Sequence, residues 1–212
     1  LNIRLQAGIT LQLLKGLSYD AKVQYEILQD ESRNLYKEGS YYVRNLVNTS
    51  STWNKTDGTV TPNLMKGDIL EERQVRTTGY NFRNQLNFSR RFDKHEIDAI
   101  AGTEISNTII KGTASPTVYG YNDDRLTVGT FPNGTTVKDW MGYNKTFYYT
   151  PSYSYLTSRY FSLYGNVAYT FDSKYTLSGS VRTDASNLIT DDPKYRYSPF
   201  WSIGLRWQLY RE

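Results

Sequence analysis

At 212 residues, with 20 Tyr, 8 Phe and 4 Trp against a single His, the chain is rich in aromatic surface and poor in the residues of acid–base chemistry. It has no Cys, which excludes a disulfide framework, a thiolate metal site and a cysteine nucleophile. A net charge of +4 is too mild and too scattered for a nucleic-acid footprint, and a mean hydropathy of −0.63 without a long apolar run excludes a membrane helix but not membrane strands. The opening Leu1-Asn2-Ile3-Arg4, without an initiator Met or signal peptide, reads as part of something larger.

From Ile3 the odd positions are apolar (Ile3, Leu5, Ile9, Leu11, Leu13) and the even ones polar (Arg4, Gln6, Thr10, Gln12), a period of two that means strand. The same parity resumes after Lys15-Gly16 with Leu17, Tyr19, Val23, Tyr25 and Ile27. Unchanged parity demands an odd turn, and Leu14-Lys15-Gly16 fits a three-residue hairpin with Gly in the left-handed position. That register predicts Leu13 opposite Leu17, Thr10 opposite Asp20, and an ion pair between the opposed Arg4 and Glu26. A second hairpin carries Tyr80, Phe82, Leu86 and Phe88, then Ile97, Ala99, Ala101 and Ile105 after an even turn near Phe92-Asp93-Lys94, with Asn84 and Ile100 as unexplained exceptions. A third uses Phe161, Leu163, Val167, Tyr169 and Phe171, then Tyr175, Leu177 and Val181 after Asp172-Ser173-Lys174. The last strand shows Trp201, Ile203, Leu205, Trp207 and Leu209 alternating with Ser202, Gly204, Arg206 and Gln208.

Seven strands are thus expected, and their connections alternate between tight turns and long loops at roughly 30–75, 107–158 and 185–197. Strands of about eleven to fourteen residues, joined by short turns at one end and long loops at the other, are the pattern of an antiparallel up-and-down transmembrane β-barrel. An odd strand number leaves two unpaired edges, so in lipid other strands must close the wall. The soluble alternative is a secreted β-sandwich that binds carbohydrate, whose inner face alternates equally well.

The stretch Tyr164-Gly165-Asn166-Val167-Ala168-Tyr169-Thr170-Phe171-Asp172-Ser173-Lys174-Tyr175-Thr176-Leu177-Ser178-Gly179-Ser180-Val181-Arg182-Thr183-Asp184-Ala185-Ser186 resembles the SusC/RagA-type TonB-dependent outer-membrane transporters. Tyr197-Ser198-Pro199-Phe200-Trp201-Ser202-Ile203-Gly204-Leu205-Arg206-Trp207 resembles that family's next strand. Leu14-Lys15-Gly16-Leu17-Ser18 and His95-Glu96-Ile97-Asp98-Ala99-Ile100-Ala101-Gly102 are similar to earlier hairpins, while both long loops are unmatched. The family commonly has Arg-x-Asp-Gly-Ser where this chain has Ala185 in the Gly position. The resemblance implies a barrel of about 22 strands with a plugged lumen. It also implies energy coupling through TonB, a SusD-like surface lipoprotein as partner, and glycans or peptides as solutes in the bacterial outer membrane. On that reading residues 1–212 are a partial barrel domain, without the plug domain or signal peptide, and the chain is not an enzyme.

The candidate site residues follow from this reading. The lipid-facing set is Ile9, Leu11, Val167, Tyr169, Trp201, Leu205 and Trp207, and the lumen-facing set is Arg4, Glu26, Arg83, Glu104, Arg182 and Arg206. The segment from Trp140 to Tyr164 is dense in aromatics, as an interfacial girdle with loop packing is, and Tyr148, Tyr149, Tyr153 and Tyr155 are its candidates for solute binding. Tyr41, Tyr42 and Trp53 are weaker ones. His95 reads as a solvated turn residue, and Asp123-Asp124 and Asp191-Asp192 as loop acids that suit water better than calcium, with no cofactor or metal expected. Phosphate-loop and Gly-x-Ser-x-Gly motifs are absent.

Overall fold

The computed structural model describes residues 1–129, 133–148, 150–188 and 197–209. In chain order these form β1 (Asn2–Leu14), β2 (Leu17–Tyr36), α1 (Tyr41–Thr49), β3 (Thr52–Trp53), β4 (Val60–Thr61), β5 (Asp68–Phe92) and β6 (His95–Ala114). They continue with β7 (Val118–Tyr121), β8 (Thr135–Lys138), β9 (Asn144–Phe147), β10 (Ser152–Phe171), β11 (Tyr175–Ser186) and β12 (Pro199–Trp207). The principal sheet runs β1-β2-β5-β6-β10-β11-β12 with β7 on β5, so strands far apart in sequence still meet in chain order. Two compact units divide the chain: Leu1–Leu28, Thr77–Ile110 and Leu156–Glu212 make a wall unit, and Gln29–Arg76 with Lys111–Tyr155 make a loop unit.

In the wall unit the register of β1 on β2 is the expected one over most of its length, with Arg4 opposite Glu26, Ile9 opposite Ala21 and Thr10 opposite Asp20. The turn itself differs. Leu14, not Leu13, pairs with Leu17, and a register shift between Gln12 and Leu14 absorbs the extra residue. A bulge and a two-residue turn preserve parity as well as a three-residue turn does, so alternation cannot distinguish them. Gly16 takes φ +85°, and a Cβ there would meet the Ser89 carbonyl oxygen at 2.5 Å, so conformation and close approach both require glycine. The second turn is Asp93-Lys94, an even loop as expected, and the third is Asp172-Ser173-Lys174 between the paired Phe171 and Tyr175. Asp93, Asp172 and Ser173 carry the positive φ these turns need.

Four strands are longer than expected: β2, β6 and β10 have 20 residues each and β5 has 25. In β2 the extra length Gln29-Asp30-Glu31-Ser32-Arg33 is polar on both sides of the strand, whereas β5 begins with adjacent Ile69 and Leu70 and β6 continues through adjacent Ile109 and Ile110, apolar pairs that break the alternation. A strand hydrated on both faces still satisfies its backbone by pairing but leaves no hydrophobic alternation to read. The gaps expected at 30–75 and 107–158 therefore narrow to residues 37–67 and 115–151 between these long strands.

The loop unit has a core of its own. Leu64 and Phe147 are buried together, with Leu46, Val47, Tyr119 and Val137 against them. Helix α1 starts at Ser40, whose Oγ accepts the Val43 backbone N–H at 3.3 Å, and it buries Val43. Asn63 joins three segments through Nδ2, which donates to the Ser50 carbonyl (2.7 Å), Thr52 Oγ1 (2.9 Å) and the Lys138 carbonyl (3.1 Å). Among the described residues no helix is long and apolar enough to cross a membrane, which leaves strands untouched.

Candidate functional site

Strand alternation sorts the wall's side chains onto two faces, and cross-strand registers line them into rows. Odd residues make apolar rows across β10, β11 and β12: Tyr169–Leu177–Leu205, Val167–Gly179–Ile203 and Gly165–Val181–Trp201. Tyr175 and Trp207, opposite each other, stack with ring centroids 6.2 Å apart. These residues are not tucked into a core. Leu205 is 85% exposed, Trp201 73%, Ile9 54% and Val167 48%; Leu11 and Trp207 are exposed as well. The polar exception Asn84 accepts a hydrogen bond from the Tyr19 hydroxyl, whereas nothing in the structure explains Ile100.

The even residues of β1, β2, β10 and β11 and the odd residues of β5 share the other face, where polar groups bond one another in a chain. Thr10 Oγ1 donates to Asp20 Oδ1 (2.5 Å), Asn87 Nδ2 to Asp20 Oδ2 (2.6 Å), and Gln85 Nε2 to Asn87 Oδ1 (2.5 Å). Arg83 Nη2 donates to Gln85 Oε1 (3.0 Å), and Tyr164 Oη, which receives Arg83 Nε at 2.8 Å, donates to the same oxygen at 2.9 Å. Tyr164 on β10 thus reaches β5 across the intervening β6. It can do so because Gly102 stands beneath it: a Cβ there would lie 2.5 Å from the Tyr164 hydroxyl. The guanidinium of Arg83 also lies 5.3 Å over the Tyr164 ring.

The other charged residues named from sequence join similar contacts. Arg4 Nη2 donates to both oxygens of Glu26 (3.0 and 3.1 Å), and Asn81 Nδ2 donates to Glu104 Oε1 (2.6 Å). Arg182 binds Asp184 (2.9 and 3.0 Å) and Tyr160 Oη (2.8 Å), which itself donates to Asp184 Oδ1 (2.6 Å). Arg206 stands opposite Thr176 on the edge strand β12. Such a face can hold water and polar surface, since the donors and acceptors named here bond one another and both charge signs occur.

His95 differs from the sequence reading. It is half-buried, shares a 2.6 Å hydrogen bond between Nδ1 and Tyr169 Oη, and lies within 5.3–5.9 Å of the Phe92, Tyr169 and Phe171 rings. Aromatic rings from neighbouring strands, a contact invisible in sequence, cover part of it. Among the described residues no group of three His, Asp or Glu side chains could hold a metal ion.

In the loop unit, Asp123 is saturated by cations: Arg33 Nη2 donates to Oδ1 at 2.7 Å and Lys37 Nζ lies 3.7 Å from Oδ2. The hydrogen bond from Arg33 holds the Asp123 carboxyl below its ordinary range. The Arg33 guanidinium also reaches Tyr121 Oη (3.2 Å) and Glu72 (3.4 Å), and Lys37 pairs with Asp68 (3.1 Å). These contacts bind β2 to β5 and to the segment after β7. Asp191-Asp192 lie outside the described residues.

The aromatic segment divides by role. Phe147 joins the loop core at 6% exposure, while Tyr160 and Tyr164 serve the wall's polar face. Tyr148, Tyr153 and Tyr155 are exposed, and Tyr149 lies outside the described residues. Lys111 Nζ lies 5.8 Å from the Tyr155 ring centre. Tyr41, Tyr42 and Trp53 are also exposed, with Tyr42 4.5 Å from Tyr36 centre to centre.

An all-antiparallel pairing of consecutive long strands, with one polar and one exposed apolar face, can be compared with known proteins. No protein-family profile matches the chain. A TonB-dependent receptor of Formosa agariphila, P26, is 27% identical over 175 residues, covering 77% of this chain and 16% of the relative. The RagAB peptide transporter covers the whole chain with a TM-score of 0.74 at 18% identity, and the closed-closed and open-open states of the RagAB importer each give 0.72 at 19%. The chain is thus similar to part of a TonB-dependent receptor. This chain spans about a fifth of the RagAB chains it matches and has the fold of that portion. The TonB-dependent receptor and RagAB names are those of a receptor and of transporters, not of enzymes.

Proposed function

We propose that the chain is a section of the barrel wall and outer loops of a TonB-dependent nutrient importer in the bacterial outer membrane, with glycans or peptides as solutes. The observation that carries this reading is the two-sided sheet: Leu205, Trp201 and Val167 lie exposed on one face, while Arg83, Gln85, Asn87 and Tyr164 are bonded into a network on the other. Hydrocarbon is the solvent that makes such exposure favourable, and strand pairing satisfies the backbone there. Ile9, Leu11, Val167, Tyr169, Trp201, Leu205 and Trp207 then face lipid, and Arg4, Glu26, Arg83, Glu104, Arg182 and Arg206 face a hydrated lumen or its plug. The closed barrel of about 22 strands is completed by chain outside this segment.

The loop unit, on this reading, stands outside the cell, where Tyr148, Tyr149, Tyr153 and Tyr155 offer rings and hydroxyls to solute. A SusD-like surface lipoprotein and TonB, acting through the plug, are the partners of the whole protein. RagAB is named for peptides, which supports a peptide solute. The β-sandwich alternative needs a second layer over Leu205 and Val167, and their exposure speaks against it.

These 212 residues are Cys-free, so a direct test needs cysteines replaced only in the rest of the full-length protein. Single cysteines at Val167 and Leu205 of the full-length protein in cells are expected to react with a lipid-soluble thiol reagent and resist a water-soluble one, with the reverse at Asn166. Equal aqueous labelling at all three positions overturns the assignment.

A further inference from the structure

The wall's apolar face is interrupted by a concavity of about 350 Å³ lined by Tyr80, Ile105, Phe161 and Ala185 together with Arg159 and Asn187. Phe161 and Ala185 are cross-strand partners on β10 and β11, and the Ala185 methyl, 7% exposed, leaves the space open where a larger side chain would fill it. Arg159 is the single charged residue of the lining. Its backbone is held on Asn187, whose side-chain oxygen accepts the Arg159 N–H (2.6 Å) and whose own N–H donates to the Arg159 carbonyl (3.3 Å). Its guanidinium makes no ion pair among the described residues, as is true of Arg83 and Arg206 on the wall's polar face, so its place on the apolar face is what sets it apart.

Depth along the strand gives this cation a meaning. From Phe171 at the turn, the 12 residue steps of β10 back to Arg159, at about 3.3 Å each and a tilt of about 40°, rise about 30 Å. That exceeds the apolar band of about 25 Å, so Arg159, with Tyr80 at the same height above its own turn, reaches the far headgroup layer, while Phe161 and Ile105 two steps lower stand at about 25 Å, at the upper edge of the acyl chains. A guanidinium fork suits a phosphate's oxygens in geometry and charge. Resting on the reading of this face as lipid-facing, we propose that the groove is a binding site for a phosphorylated lipid, with the phosphate on Arg159 beside Tyr80 and an acyl chain passing over Ala185 between Ile105 and Phe161 toward the band.

Native mass spectrometry of the detergent-solubilised full-length protein tests this with three probes: dioleoyl phosphatidic acid, dioleoyl phosphatidylcholine and inorganic phosphate. The wild type is expected to retain phosphatidic acid over phosphatidylcholine, Arg159→Gln to lower that retention about tenfold, and Arg159→Lys to keep most of it. Ala185→Leu, which fills the floor, is expected to lower retention with the charge intact, and inorganic phosphate at equal concentration is expected not to displace the lipid. Wild-type retention in Arg159→Gln or in Ala185→Leu, or displacement by inorganic phosphate, overturns the site. Adducts of both lipids without preference sink this inference alone, whereas no adduct of either lipid sinks the lipid-facing reading beneath it.

Discussion

In the wall unit the bulky apolar side chains lie open, Leu205 at 85% exposure, while in the loop unit Val43 at 2% and Phe147 at 6% are buried under neighbours from α1, β7 and β8. On the proposed reading, the same residue types serve two different solvents. The wall holds its shape by backbone pairing and by polar contacts along one face, so its apolar residues are free to meet an external medium. The loop unit draws its stability from a buried core, as a soluble domain does.

That contrast can be broken most severely at Phe147. Phe147→Ala is expected to destabilise the loop unit by about 3–5 kcal/mol, read as faster hydrogen exchange in α1, β8 and β9 with the strands of the wall unchanged. Exchange that rises equally in β10 and β11 would merge the two units into one cooperative structure. Arg at Val167 or Leu205 is expected to cost about 2–4 kcal/mol in unfolding from lipid vesicles, against a mild effect at Asn166. Gly102→Ala sets a methyl against both the Tyr164 hydroxyl and the Asn84 carbonyl oxygen, and about 1–3 kcal/mol should be lost as the hydroxyl is forced aside. Tyr164→Phe in the same background should then have little further effect, because its bonds to Arg83 and Gln85 are already broken. A full additional loss in that double variant would remove Gly102 from the polar network.

Two smaller effects sharpen the picture. The Asp123 carboxyl is held below its ordinary value of 3.8 by the hydrogen bond from Arg33, so its contribution is complete above that value and disappears as pH falls through the lower folded one. The Tyr121 amide resonance should therefore stay constant from pH 7 to about 5 and move only below about 4; a transition near 6 would point to another group. Arg4→Ala removes an exposed ion pair and is expected to cost under about 1 kcal/mol in thermal unfolding.

Much of the wall was legible before any coordinates. A period of two assigns each residue of Ile3–Leu13 to a face, and the parity across a turn constrains the pairing enough to place Arg4 opposite Glu26. The same logic could not separate a three-residue turn from a bulge at Leu13, since both keep parity. In the loop unit it found neither α1 nor the core. The signal for α1 was present in Ser40 before Val43, Leu46 and Val47 at helical spacing, but it is only about two turns long and stands among polar residues. Asn63, the node joining α1 to β3 and β8, carries no local mark at all.

Alone, then, the amino-acid order determined which residues share a face, where the tight turns fall and which neighbouring strands pair, because those properties follow from side-chain alternation within a few residues. The three-dimensional fold decided the rest: that β2, β5, β6 and β10 run on past the stretches read from alternation, that Tyr164 crosses over Gly102 to Arg83, that rings cover part of His95, and that Arg159 meets no carboxylate among the described residues. Each of these depends on groups brought together from strands distant in sequence, and no local pattern encodes which distant group will arrive.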